Sequence, residues 1–282
     1  MATCSRSSHR CASARTTPTP SRTRSTACCA TAGEPARPWA AACAPDPRLD
    51  APRASGRRGL ARAGQPGRLN LFFLEEADGE VTQFDAGGHV HLSLVRSAIA
   101  TLGPLERVVL SHAHTDHRGT APSLRAPVVC HPDEVGDAQG TGGLRYWGEG
   151  LPKLAPGPRL LHRHVLQRLY DGGPVRVADT IADGDEVAGF RVVHLPGHAP
   201  GLIALVREHD GVALTSDAFY TVDARWRDCP PYTPGPDWSW DIEQARASLR
   251  LLASFDLSAA WPGHGEPITG DVATALLAPS RR

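Results

Sequence analysis

The rhythm of apolar and polar positions changes at Leu69. From there, LNLFFLE (69–75) and EVTQF (80–84) are β-rich runs on either side of the turn residues Ala77 to Gly79, which predicts a hairpin. Residues 91–102, HLSLVRSAIATL, put Leu92, Val95, Ile99 and Leu102 on one helical face, and Gly103 with Pro104 stops the helix. RVVLS (107–111) reads as a short buried strand and 127–130 as another. A Gly- and Pro-rich loop is expected over 136–158 and a helix over 159–170. Strands are expected at 174–178, 186–194, 202–207, 211–215 and 258–262, and helices at 241–254 and 271–278. Strands and helices both alternate and cluster, so the fold class is α/β or α+β with helices covering sheets.

Before Leu69 the pattern is absent. Residues 1–68 have no Ile, Val, Phe or Tyr and two Leu, with twelve Arg against three acids. Such a segment is too poor in core-forming side chains to offset its ordering entropy. It is expected to be a disordered basic tail, a targeting peptide, or a misassigned start in a GC-rich gene, the last suggested by Lys153 standing alone among 29 Arg. The folded domain is expected over 69–282. Overall the charges cancel, Lys+Arg 30 against Asp+Glu 30, but the tail carries a formal +9 and the remainder −9. An acidic folded part offers no track for nucleic acid. Only Cys130 and Cys229 of the seven cysteines lie in it, which makes no disulfide framework and points to a reducing cytoplasm. No apolar run has the length of a membrane span.

Candidate chemistry gathers where strands end. RVVLS runs straight into SHAHTDH (111–117), which carries His112, His114, Asp116 and His117. In extended chain, residues two apart point to one side, so His112 and His114 can grip one ion, while Asp116 and His117 fall at the following turn and reach a second. HLPGHAPG (194–201) presents His198 in a turn, LTSDAFY (214–220) ends a strand at Asp217, and WPGHGEP (261–267) does so at His264. A lone histidine in such a turn is usually a packing residue. Four strand ends that each stop in a metal-ligand residue type are a different matter.

SHAHTDH, HLPGHAPG, SDA and PGHGEP, in this order, resemble the motifs of the metallo-β-lactamase superfamily, and FDAGG (84–88) resembles its segment after the early hairpin. The resemblance covers residues 69–270. It implies an αββα sandwich, two mixed sheets covered by helices, with the site at one edge of the sheets. It also implies His112, His114 and His198 on a first metal, Asp116, His117 and His264 on a second, and Asp217 bridging both. Two divalent ions, zinc with iron or manganese as the alternatives, would hold a bridging hydroxide for attack on an electrophilic centre. Asp116 would orient the nucleophile or shuttle its proton.

A bridging aspartate fits the thioesterase, lactonase and nuclease branches better than the true β-lactamases. The chain runs 18 residues past His264, too few for the helical domain of typical hydroxyacylglutathione hydrolases. Asp217-Ala-Phe-Tyr220-Thr is similar to a stretch of N-acyl homoserine lactonases, which implies that the Tyr220 hydroxyl serves as a donor to the substrate. The expectation is therefore a hydrolase of a small lactone, ester or thioester, with a homodimer as one assembly. Its rivals are a phosphodiesterase or nuclease, a mono-iron persulfide oxygenase, and a catalytically silent binding module. Tyr146 and Trp147, and Trp226, Tyr232, Trp238 and Trp240, are candidate pocket walls. His89, His91, His162 and His164 are expected to be surface residues, the last two because positions two apart diverge on a helix.

Overall fold

The structure, a computed structural model, describes residues 60–63, 69–142, 157, 160 and 167–278. Six strands form the first sheet in chain order: β1 (Leu60–Ala63), β2 (Leu71–Glu75), β3 (Val81–Phe84), β4 (Leu105–Val109), β5 (Val128–Cys130) and β6 (Val177–Thr180). The joins are antiparallel up to β3 and parallel from there on. Alternation sends the side chains of β2 to opposite faces, and both faces are covered. Leu71 and Phe73 pack with Val95 and Ala98 of helix α1 (Leu92–Leu102).

Phe72 and Leu74 turn the other way, onto a second sheet. That sheet contains β7 (Glu186–Val187), β8 (Phe190–His194), β9 (Ile203–Arg207), β10 (Val212–Ser216), β13 (Ala259–Pro262) and β14 (Ile268–Thr269), in the spatial order β14-β13-β10-β9-β8-β7. Phe190, Val192, Ile203, Leu205 and Leu214 meet Phe72, Leu74, Phe84 and Val109 between the sheets. Truncating one of these buried Phe side chains to Ala would cost about 3–5 kcal/mol. The outer face of the second sheet, through Val193, Ala204, Val206 and Ala213, packs with Leu249 and Leu252 of one helix (Ile242–Leu252) and Val272 and Leu276 of the last (Val272–Leu277). The layers run helix, sheet, sheet, helix, which is the expected αββα sandwich of two mixed sheets.

Several elements differ from expectation. The strand expected over 186–194 is two strands, because Ala188 and Gly189 adopt positive φ, 50° and 80°, and close a two-residue hairpin turn. Tyr220–Val222 and Asp228–Tyr232 form a separate ribbon, β11 and β12, in a stretch for which no element is expected. The first sheet also reaches back into the segment expected to lie outside the fold: Leu60 pairs opposite Leu74 and Ala63 opposite Leu71. The sequence there, LARA, has no alternation strong enough to announce a strand; backbone pairing at the sheet edge makes it. Residues 1–59, Tyr146, Trp147, His162 and His164 lie outside the described residues, as do most of the expected loop and helix over 136–170. Among the described residues, no helix is long and apolar enough to cross a membrane.

Candidate metal centre

Each of the seven expected ligands sits just beyond a strand's C-terminal end. Strand β4 passes through Leu110 and Ser111 to His112 and His114, and His114 is the N-cap of a one-turn helix, α2 (Thr115–Arg118), that carries Asp116 and His117. His198 lies in the turn between β8 and β9, Asp217 directly after β10, and His264 after β13. The first sheet thus supplies four of the expected ligands and the second sheet three. The structure brings all seven together, in two groups: His112, His114, His198 and Asp217, and Asp116, His117 and His264.

Asp217 joins the groups. Its Oδ2 lies 3.8 Å from His112 Nε2 and 3.5 Å from His198 Nε2 on one side, and 3.2 Å from His117 Nε2 and 3.7 Å from His264 Nε2 on the other. Asp116 Oδ2 is 3.3 Å from His264 Nε2. His198 Nε2 and His114 Nδ1 approach to 3.0 Å. Buried polar atoms nearly always have partners. Yet His112 Nε2 and Asp217 Oδ1 are buried without a hydrogen bond, and both belong to this cluster. Imidazole nitrogens and carboxylate oxygens in this arrangement fit divalent metal ions. Gly263 makes room for the shared carboxylate, since a Cβ there would lie 2.2 Å from Asp217 Oδ1.

A second layer fixes the rings. Asp85, at positive φ (61°), accepts from Ser111 N, Ser111 Oγ and Ser216 Oγ, each at 2.8 Å. It also bonds His117 Nδ1 at 2.9 Å. A carboxylate accepts, so Nδ1 of His117 carries a proton and Nε2 faces Asp217. Ser111 Oγ lies 2.9 Å from His112 Nδ1, which orients that ring in turn. Asn70, buried at the start of β2, donates through Nδ2 to Pro262 O and Gly265 O, both at 2.8 Å, and clamps the turn that holds His264. Sequence reasoning placed FDAGG without giving Asp85 a role, and missed Ser111, Ser216 and Asn70. Asp85 lies 131 positions from Ser216, and nothing local signals such a contact.

The protonation states divide along the same line as the groups. Burial, followed by the His198 imidazole, pushes His114 down to about 3, and burial pushes His198 down to about 4. His112 falls well below its usual value, from burial and then His117 and His114. Burial works against protonation of His117 and His264 too, but Asp217 with Asp85 and Asp116 raises the first overall, and Asp217 with Asp116 raises the second. Burial alone would raise Asp217, whereas His117, His264 and His198 hold it well below the usual carboxylate range. Asp116 is likewise depressed by His117 and His264 in spite of burial.

Tyr220 belongs to the site. Its hydroxyl donates to Asp217 Oδ2 at 2.7 Å, and its ring lies edge-on to those of His198 and His264, at 6.2 and 5.0 Å. Burial, then Asp217 and Asp116, raises its pKa, so the phenol keeps its proton. Trp226, 48% exposed, lies 6.1 Å from the His264 ring, and Tyr232 packs edge-on to Tyr220. The Trp240 amide donates to His198 O at 3.1 Å while its side chain is exposed, as is that of Trp238. His89 is exposed as expected; His91 is half-buried, its Nδ1 accepting from Gly88 N.

A third histidine group, His131, Asp133 and His194, has no counterpart in the expectations. The two rings stack at 4.0 Å, 15° from parallel. His194 Nε2 bonds Pro200 O at 2.9 Å and therefore carries the proton, and His131 Nδ1 accepts from Asp133 N. Stacked rings aim their in-plane lone pairs side by side rather than at one point, so this group packs rather than chelates.

Comparison with known proteins agrees with the geometry. The profile of the metallo-β-lactamase superfamily matches residues 65–264. The probable metallo-hydrolase YqjP of Bacillus subtilis (strain 168) is 29% identical over 184 residues, 60% of this chain and 56% of its own length. Among solved structures, the metallo-β-lactamase family protein TTHA1429 of Thermus thermophilus is 28% identical, with a TM-score of 0.54 over 77% of this chain and 76% of that one. TTHA1623, solved in a di-iron-bound form, is 27% identical, with a TM-score of 0.51 over 77% and 96%.

Proposed function

This chain belongs to the metallo-β-lactamase superfamily, a superfamily of metallo-hydrolases, and from that premise we propose that it hydrolyses a small lactone, ester or thioester at a dinuclear centre. The observation that carries the reading is the position of Asp217. One carboxylate oxygen lies within 3.8 Å of imidazoles from both ligand groups and accepts the Tyr220 hydroxyl as well. A shared carboxylate between two complete groups suits two ions better than one, which favours a dinuclear hydrolase over the mono-iron oxygenase.

Bound divalent ions supply Lewis acidity and lower the pKa of water. His112, His114 and His198 would hold one, Asp116, His117 and His264 the other, with Asp217 between them. Zinc fits this donor set; the di-iron form of TTHA1623 makes iron the rival. Asp116, with 25% of its side chain exposed, is the ligand most open to substrate. Its depressed pKa keeps it ionised, so it orients an attacking water by accepting a hydrogen bond from it. Tyr220 stays protonated and can turn its hydroxyl from Asp217 to the oxygen of a carbonyl as negative charge grows there. Water adds to the carbonyl carbon, the C–O or C–S bond breaks, and the water's proton leaves with the departing oxygen or sulfur. The exposed Trp226 beside His264 favours substrates with an apolar group.

The test is a screen of acyl lactones, thioesters and phosphodiesters on purified protein, with metal content measured alongside. The expected result is about two ions per chain and turnover of lactones or thioesters. Turnover of phosphodiesters alone, or undiminished hydrolysis by a metal-stripped preparation, would overturn it.

A further inference from the structure

We propose that Glu134 is the positioning residue of the first ligand group: its carboxylate ties the loop of His112 and His114 to the loop of His198 and so sets the grip of these three histidines on a divalent ion. Glu134 is the last residue of a short 3-10 turn, Pro132–Glu134, that follows β5, and it is 1% exposed. Its Oε2 accepts from Ala113 N at 2.8 Å, and its Oε1 accepts from Gly201 N at 2.8 Å. Ala113 stands between His112 and His114, and Gly201 is three residues past His198. The three positions are 21 and 67 residues apart in the chain, so only the fold brings them together.

A buried carboxylate is unfavourable unless charge-assisted bonds satisfy it. Here each oxygen is bonded to an amide of a ligand-bearing loop, although Glu134 is not itself among the ligands. The loops are shaped to admit it. A Cβ on Gly201 would lie 2.8 Å from Glu134 Cγ and 2.9 Å from His131 Nδ1, so the residue there has to be small. Beside the carboxylate, the stacked rings of His131 and His194 join the ends of β5 and β8, the strands that lead to Glu134 and to His198. The second group is steadied elsewhere, by Asp85 on His117 and Asn70 on the His264 turn. Loss of the Glu134 carboxylate therefore weakens the first group selectively.

The inference rests on the reading of the seven residues as a metal centre, and the experiment separates the two. Full-length protein is titrated with Zn(II) against a chromophoric chelator in two backgrounds, His264→Ala, which leaves the first group whole, and His114→Ala, which leaves the second. Glu134→Gln keeps the shape but turns an NH₂ toward one of the two amides. It should lower affinity about 10- to 100-fold in the first background, the usual effect of a ligand-orienting partner, and less than about threefold in the second. Gly201→Ala should shift the first background in the same direction with the carboxylate retained. Without metal, the Ala113 and Gly201 amide protons should move upfield and exchange faster in Glu134→Gln, a readout that does not need either background. Equal losses in both backgrounds, or no loss together with unmoved amides, would overturn the proposal. A wild-type chain that takes up no ion would remove the reading beneath it.

Discussion

The two halves of the centre differ in charge before any ion is bound. His112, His114 and His198 are buried among one another and held neutral, with His114 and His198 titrating at about 3 and about 4. His117 and His264 are buried too, but carboxylates outweigh burial there: Asp217, Asp85 and Asp116 for the first, Asp217 and an Asp116 oxygen 3.3 Å away for the second. Asp217 lies near both halves, and the additional close carboxylates, Asp85 at His117 and Asp116 at His264, give the second half the opposite protonation. The first half offers ready lone pairs, and the second must give up protons before it can bind.

The hardest way to break that contrast is to remove what the halves share. Asp217→Ala should lower activity by at least about 100-fold and reduce metal content from about two ions per chain to about one, measured by elemental analysis. Retention of both ions would show that Asp217 does not bridge. Asp85→Asn strikes the halves unequally, since Asp85 bonds His117 directly but reaches His112 only through Ser111. Affinity at the second group should drop about 10- to 100-fold and at the first by less, by competition titration. An equal drop would mean that Asp85 supports the whole edge rather than one ring.

pH sharpens the contrast without any mutation. The raised pKa values of His117 and His264 keep protons on them until the pH passes above the usual imidazole range. Metal must displace those protons, so second-group affinity should rise with pH by up to about tenfold per unit for each proton released. His114 and His198 are already neutral above about pH 5, so first-group affinity should stay flat from there to pH 8. Dialysis at pH 5.5 should leave about one ion per chain and at pH 8 about two. Parallel loss of both ions on acidification would break the contrast.

The candidate ligands were legible because their chemistry is local. VVLSHAHTDH shows a buried strand running into four donors, and His198, Asp217 and His264 each end a strand that can be recognised from its own residues. The layers came from the resemblance that these motifs carry, which implies the αββα sandwich; the structure then buries Leu71 and Phe73 on one face of β2 and Phe72 and Leu74 on the other. What stayed hidden depends on distant chain or on weak local signals. Asp85, Asn70 and Glu134 act across 32, 192 and 67 residues. The β11–β12 ribbon hides behind Pro230 and Pro231, residues that a two-stranded ribbon tolerates and a central strand does not. The hairpin at Ala188-Gly189 lacks the Asn-Gly signature, and α2 is a single turn, too short to show a helical period.

The smallest expected effect falls on the residue that touches both halves. Tyr220 donates to Asp217 Oδ2 and lies against His198 on one side and His264 on the other. Tyr220→Phe removes one hydroxyl and leaves the ring packing. Both ions should therefore stay, because Asp217 keeps its imidazole neighbours. Loss of one hydrogen bond to a developing oxyanion, worth about 1.4 kcal/mol, should slow lactone turnover about tenfold, mainly in kcat rather than KM. An unchanged kcat would mean that the hydroxyl serves only to hold Asp217. A drop in metal content instead would assign Tyr220 to the shared carboxylate and leave the oxyanion donor to be sought among other groups at the site.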